Sequence, residues 1–427
     1  MERTRYLIIG AGVTGLAFAD RIAGDDYLII EREDEPGGYC RTVVQDGFVW
    51  DYSGHFFHFR HPEIERDLVG RMGDQRVLTV EKDSRILYGD RLIDFPFQKN
   101  IHQLPHEEFL DCLVDLYFRE DREPKSFREM LYAKFGRSIA EKFLIPYNEK
   151  LYATDLASLD VDAMGRFFPY ADVADVIRNF RRADNRSYNA TFTYPEGGAV
   201  QYIQALLTGV RRERLRLGTA VEAVDLERRV ARTTAGEVAF EHVVSSAPLP
   251  QLLEMCDVPF DRSVYTSNKV QVFNLGFDRK GHEGIHWIYV PQREVCFYRV
   301  GFYDNIFGTD RMSLYVEIGR PGDHVVDPAS VEDTRERVLH DLRACGIVDG
   351  HRLVSWHHVV LDPAYVHITR ASLQDVAQKK RMLETCGVHS LGRYGSWTYC
   401  SIEDNIVEAR GLADLFNSLP RARRRPE

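Results

Sequence analysis

Tyr6-Leu7-Ile8-Ile9-Gly10-Ala11-Gly12-Val13-Thr14-Gly15 opens the chain almost at once. An apolar run that ends in glycine reads as a buried parallel strand feeding a tight turn. The glycines fall at Gly10-x-Gly12-x-x-Gly15. In that spacing the first makes the turn and the second lets the backbone approach a pyrophosphate. The third lets the following helix pack on the strand, and the helix N-terminus faces the phosphates. Helical periodicity runs from Val13 to Ile22, and Tyr27 to Ile30 reads as the next strand. Glu31 closes that strand, where a carboxylate accepts ribose hydroxyls. Strand, glycine turn, helix and strand together predict a Rossmann-type dinucleotide-binding unit.

The next stretch runs from Glu31 through Gly37-Gly38 to Arg41. An acidic strand end, a glycine pair and an arginine resemble the second FAD signature of amine-oxidase-like flavoproteins. There the glycines and the arginine meet the pyrophosphate, and an arginine fork suits phosphate oxygens. The expected cofactor is therefore FAD. Asp51-Tyr52-Ser53-Gly54-His55 follows, and Gly54 and His55 are expected beside the flavin. His55, His58 and His61 lack the cysteine or carboxylate company of a metal site, so no metal is expected.

Composition bounds the rest. A formal charge of -10 argues against a nucleic-acid partner, whose footprint is a basic face. The basic run from Arg421 to Arg425 reads as a solvated tail after Pro420. Seven cysteines show no paired spacing, and the odd count suits a reducing cytoplasm. Glycines interrupt the apolar run at the N-terminus, which argues against a signal peptide. No apolar stretch of about 20 residues appears, so no membrane partner is expected.

Phe109, Cys112, Leu113, Leu116 and Tyr117 recur at helical spacing, and similar patterns continue to Phe143. From Val270 to Ile318 short alternating runs predict an antiparallel sheet. The expected fold class is thus α/β: a Rossmann-type FAD-binding domain, a mostly helical insertion and an antiparallel sheet domain. The FAD domain is assigned to residues 1–90, 199–262 and 385–420, with a basic tail at 421–427. The helical flap domain takes residues 100–187, and the sheet domain 91–99, 188–198 and 263–384.

Further segments resemble the UDP-galactopyranose mutases, nearest to the eukaryotic-type members. They are Gly54-His55, Phe95 to Ile101, Pro146 to Ala153, Asn189 to Phe192 before Gly197-Gly198, Trp287 to Pro291, Phe297 to Arg299, and Gly392 to Tyr399. They keep the family's order along nearly the whole chain. The resemblance implies a pyranose–furanose interconversion of a UDP-sugar such as UDP-galactopyranose, redox-neutral overall but dependent on reduced FAD. In that family flavin N5 attacks the anomeric carbon, displaces the nucleotide diphosphate and later returns it, a covalent route that splits one hard step. The resemblance places Arg299 and Arg166 on the diphosphate and His55 by the flavin. A flap from Tyr170 to Asn185 offers Arg178, Arg181 and Arg182 as substitutes for Arg166. Tyr152, Tyr289, Tyr365, Tyr399, Gln98, Asn148 and Asn189 fall where the family contacts sugar or nucleotide. Val221, Arg393 and Asp404 fall at flavin contacts.

Two departures stand out: Phe95 replaces a tyrosine of the eukaryotic-type pattern, and Tyr152 replaces a tryptophan. Sites that bond a substrate hydroxyl discriminate strongly, so these changes bear on which sugar is accepted. A flavin oxidase or desaturase of the amine-oxidase type, and a silent flavoprotein that only binds, remain open. So does homo-oligomerisation. No separate NAD(P)H fingerprint is visible, which leaves NAD(P)H as a candidate reductant acting at the same pocket.

Overall fold

The computed structural model describes residues 1–119, 122–185 and 190–419. Its first sheet is built around the strand Glu2–Ile9, which lies parallel between Gly236–Ser245 and Tyr27–Ile30. Leu7, Ile8, Leu28 and Ile29 are buried. Both faces of these strands are covered, which is why the sequence here is continuously apolar instead of alternating. Leu215–Arg216 extends the sheet beyond Tyr27–Ile30, and Val388–Ser390 pairs parallel to Gly236–Ser245. Val221–Asp225 and Val230–Thr233 complete seven strands by antiparallel pairing. The sheet therefore gathers residues 2–30, 215–245 and 388–390.

The helix Val13–Arg21 packs against Ile402–Ser418 and Val200–Leu207. Leu16, Phe18, Ile203, Ile406 and Ala409 fill the space between them. Ile402–Ser418 starts with a reciprocal cap in which the Ser401 and Asp404 side chains satisfy each other's backbone N–H groups.

The second sheet has the order Leu353–Leu361, Asn268–Phe277, Ser313–Pro321, Arg299–Phe302, Trp287–Tyr289, Ser84–Tyr88, Arg91–Asp94. It is antiparallel except where Trp287–Tyr289 runs parallel to Ser84–Tyr88. The expected divide at residue 90 is thus too late, because Ser84–Tyr88 already belongs to this sheet. Val77–Glu81 also leaves the nucleotide-binding sheet, pairing with Thr191–Pro195 as a separate ribbon. Alternating strands carry no mark of which sheet they join, so periodicity alone could not find this boundary.

Between the sheets' contributions lies the helical region: His106–Tyr117, Phe127–Ile139, a π turn at Ala140–Leu144, Ile145–Tyr152 and Val173–Arg181. Cys112, Leu116, Phe127, Met130 and Phe135 form its core. Among the described residues no helix is long and apolar enough to cross a membrane. Asn189 and the tail 421–427 lie outside the described residues.

Candidate active site

A cavity of about 670 Å³ extends from the first glycine turn to the face of the second sheet. At its glycine-turn end, Gly10 takes φ +98° and its N–H donates to the Ile30 carbonyl at 2.9 Å. A Cβ on Gly15 would sit 2.1 Å from the Gly10 carbonyl oxygen, so only glycine lets helix and turn approach. Gly12 and Gly37 bridge backbone to backbone, and the Gly37 N–H donates to the Ala11 carbonyl at 2.9 Å. Gly38 lines the cavity beside them. Glu31 is buried, accepting from the Ala11 N–H at 2.7 Å and the Glu33 N–H at 3.0 Å. Arg41 donates to the Glu35 carbonyl at 2.5 Å, while its Nε has no partner. Val221 completes this end.

The opposite end is polar and charged. Gly54 allows Tyr315 to close in, since a Cβ there would meet the Tyr315 hydroxyl at 2.5 Å. His55 has a buried Nδ1 without a partner, and burial pushes its pKa down to about 4. The imidazole is therefore neutral at neutral pH. Arg299 donates Nε to Glu317 at 2.7 Å and Nη2 to the same carboxylate at 2.8 Å. The Ser53 hydroxyl donates to that carboxylate as well. Burial opposes both charges, but mutual attraction outweighs it. The Arg299 pKa rises further and that of Glu317 falls below the usual carboxylate range.

Tyr365 and Tyr399 stack with ring centroids 5.7 Å apart. The Arg393 guanidinium lies over both, at 5.2 and 4.6 Å. It donates to the Cys400 carbonyl at 3.3 Å and the Ala364 carbonyl at 3.2 Å, and its Nε is unpartnered.

Other expected site residues stand apart from the cavity wall. Arg166 is tied to Asp404 through bonds of 2.6 and 2.5 Å and stacks on Phe167. Asp404 is in turn held by the Ser401 cap, so neither partner of this ion pair lines the cavity. Arg178 is exposed and pairs with Asp175. Gln98 is fully buried and donates to the Pro169 carbonyl. Asn148 donates to the Leu144 carbonyl at 2.7 Å. The unused oxygens of both amides are buried without partners. Tyr289 accepts from the Trp287 indole at 2.7 Å. Tyr152 meets Tyr365 edge-on at 5.8 Å.

Sequence reading missed Glu317, Ser53 and Lys82. Glu317 lies directly across the ladder from Arg299, a relation that exists only once the register is known. The Lys82 amine sits 4.9 Å from the Phe95 ring and 5.3 Å from Trp287. Burial, then the charge of Arg299, lowers its pKa to about 7. The half-buried Lys82 amine and the Arg299 guanidinium are thus electrostatic neighbours.

These residues fit a flavin dinucleotide. Three buried nitrogens without partners, on Arg41, His55 and Arg393, belong to the wall of one cavity whose far end is bare glycine backbone.

The family model described as flavin containing amine oxidoreductase matches residues 13–377. A zeta-carotene-forming phytoene desaturase of Myxococcus xanthus is 25% identical over 355 residues, 71% of this chain and 65% of that protein. A 4,4'-diapophytoene desaturase of Staphylococcus aureus is 27% identical over 146 residues, 30% of this chain and 29% of that protein. The chain thus spans less than two thirds of the length of these curated relatives. Among solved structures, a reduced UDP-galactopyranose mutase superposes with a TM-score of 0.89 at 23% identity, covering 98% of this chain and 95% of that one. Cyclohexylamine oxidase from Brevibacterium oxydans superposes with a TM-score of 0.67 at 14% identity, covering 97% and 98%. These likenesses establish the fold.

Proposed function

The chain belongs to the family of flavin containing amine oxidoreductases, and from that premise we propose that it is a flavin-dependent mutase interconverting pyranose and furanose forms of a nucleotide sugar, UDP-galactose or a relative. One observation carries this reading: the cavity wall away from the glycine turns holds Arg299, Glu317, Arg393 and His55. A hydrocarbon substrate would cover the charge of Arg299 without bonding it. A sugar diphosphate supplies anionic oxygens that a guanidinium can bond.

Reduced FAD, when bound, supplies a nucleophilic nitrogen for the anomeric carbon. The protein's part is to hold the departing diphosphate and return it. Arg299 stays charged throughout, and Glu317 with Ser53 fixes the plane of its guanidinium. Glu317 also neutralises part of that charge, which moderates diphosphate affinity and lets the group be released. Neutral His55 can accept or donate one hydrogen bond without adding charge beside the ring. The stacked Tyr365 and Tyr399 wall the sugar region against water. In this reading Arg166 reaches the diphosphate only after parting from Asp404.

An oxidase or desaturase is the second reading, favoured by the phytoene desaturase match. Anaerobic incubation of the dithionite-reduced protein with UDP-, GDP- and TDP-sugars separates the two. Furanose product is expected from at least one donor. Absence of product from every donor, together with oxygen consumption on an amine or polyene, would overturn the mutase reading. Flavin bleaching by NADPH or NADH in the same apparatus tests the nicotinamide nucleotide as reductant.

A further inference from the structure

Lys82 leaves the strand Val77–Glu81 with its N–H on the Ala190 carbonyl at 2.8 Å. Its side chain is half-buried. The amine lies 5.3 Å from the Trp287 ring and 4.9 Å from the Phe95 ring, and Phe95 packs on Tyr289 at 4.8 Å. Arg299 and His58 both feel its charge. Trp287, Arg299 and His58 all line the cavity, so the amine stands at its rim. Aromatic faces attract a cation without neutralising it.

Charge balance at this end leaves room for a further cation. Arg299 is matched by Glu317 and Arg166 by Asp404, so neither pair brings net charge. Arg393 adds one positive charge beside Tyr365 and Tyr399. A nucleotide sugar carries a doubly charged diphosphate, and desolvating an anion is costly unless cations meet it. A lysine amine is a compact point charge with three rotatable donors, able to follow a phosphate that departs and returns.

We propose, on the mutase reading above, that Lys82 binds the substrate diphosphate together with Arg299, from the Phe95 and Trp287 side of the cavity. Binding is then coupled to a proton. In the empty cavity, burial and then the charge of Arg299 hold the Lys82 pKa at about 7. About half of the molecules therefore carry that proton near pH 7. The other titratable groups facing the amine are His58 and His286, both pushed down by burial. Asp83, next in the chain, is bonded to Arg85. An arriving dianion favours the charged amine, which takes its proton from solvent.

Isothermal titration of the oxidised, flavin-loaded protein with UDP-galactose tests this. The oxidised flavin is not a nucleophile, and a diphosphate bridged at both ends does not titrate near neutrality. Repeating the titration in buffers of different ionisation enthalpy reads the proton taken up. About half a proton per ligand is expected near pH 7, fading toward about pH 5.5, where the free amine is already charged. Wild-type affinity should weaken by up to about tenfold for each unit above about pH 7. Lys82→Met should abolish the uptake and lower affinity by roughly tenfold or more. Lys82→Arg, charged at every pH used, should also abolish the uptake yet keep affinity within a few-fold. His58→Gln should retain the uptake. Each variant should keep its flavin, because Lys82 stands away from the glycine turns. Buffer-independent heats in wild type, or equal uptake in Lys82→Met, overturn the proposal and leave the mutase reading standing. Absence of UDP-galactose binding by wild type overturns both. Slower bleaching of Lys82→Met by NADPH with unaltered UDP-galactose titrations would give the amine to the reductant, and also overturns the proposal.

Discussion

Arg299 and Glu317 stand opposite each other on neighbouring antiparallel strands, and the guanidinium meets the carboxylate through two hydrogen bonds of 2.7 and 2.8 Å. Glu317 is buried and Arg299 half-buried at the polar end of the cavity. Removing one member strands the other charge in a dry wall. Glu317→Gln is expected to cost about 3–5 kcal/mol of stability, measured by denaturant titration, and to reduce turnover while flavin content holds. Because the folded pKa of Glu317 lies below its unfolded value, its contribution is present above pH ~4.3 and lost as pH falls through the folded value. The variant should therefore lose part of the wild-type acid sensitivity. An unchanged acid limb would show that the pair is stabilised by something other than its charges.

Gly15→Ala should destroy cofactor binding. The new methyl would lie 2.1 Å from the Gly10 carbonyl oxygen, so the helix must move off the turn that the pyrophosphate needs. Purified variant protein should lack the flavin absorbance expected of the wild type. Normal flavin content in this variant would place the cofactor elsewhere.

Arg41→Ala tests the same end more gently. Loss of hydrogen bonds to a charged phosphate should weaken flavin affinity by about 1.5–3 kcal/mol, roughly ten- to a hundredfold. Isothermal titration of deflavinated protein with FAD reads it directly. Equal affinity in the two proteins would make Arg41 a structural tie to Glu35 and Glu33 alone.

His55 gives a pH prediction of opposite origin. Burial lowers its folded pKa to about 4, against about 6.5 unfolded. Between these values the unfolded chain holds more protons, so stability should rise as pH climbs from 4 to 6.5 and level off above. His55→Gln should flatten part of that slope. His58, also pushed down to about 4 by burial, supplies another part and remains in the variant. A slope identical in wild type and variant would mean that His55 has the same proton affinity in the folded and unfolded chain.

Arg166 distinguishes a surface tether from a substrate ligand. Its pair with Asp404 is partly exposed, at 35% and 26% of the side chains, and such pairs contribute about 0–1 kcal/mol. Arg166→Ala should thus barely change the melting temperature. If the group moves onto the diphosphate during turnover, KM should rise at least about tenfold, consistent with a lost charge-assisted bond. Unaltered kinetics would leave Arg299 and Arg393 as the arginines that matter.

The glycine-turn end of the cavity was legible because its determinants are local. Gly10, Gly12, Gly15, Glu31, Gly37, Gly38 and Arg41 lie within a single strand–turn–helix–strand run, and the backbone conformations they permit follow from their own side chains. The same holds for the helix from Val13 and the strand Tyr27–Ile30, whose apolar patterns match the elements observed.

The charged end of the cavity was decided by contacts between distant segments. Glu317 becomes the partner of Arg299 through strand register, and Arg166 becomes the partner of a residue 238 positions away. Gln98 and Asn148 turn their amides to backbone carbonyls, not to the cavity. Ser84–Tyr88 changes sheets for the same reason. A sequence specifies what each residue can bond and how its neighbours fold, whereas which charges meet depends on how separate elements pack. That packing is a property of the whole chain, because burying a charge is tolerable only where another segment supplies its counterpart.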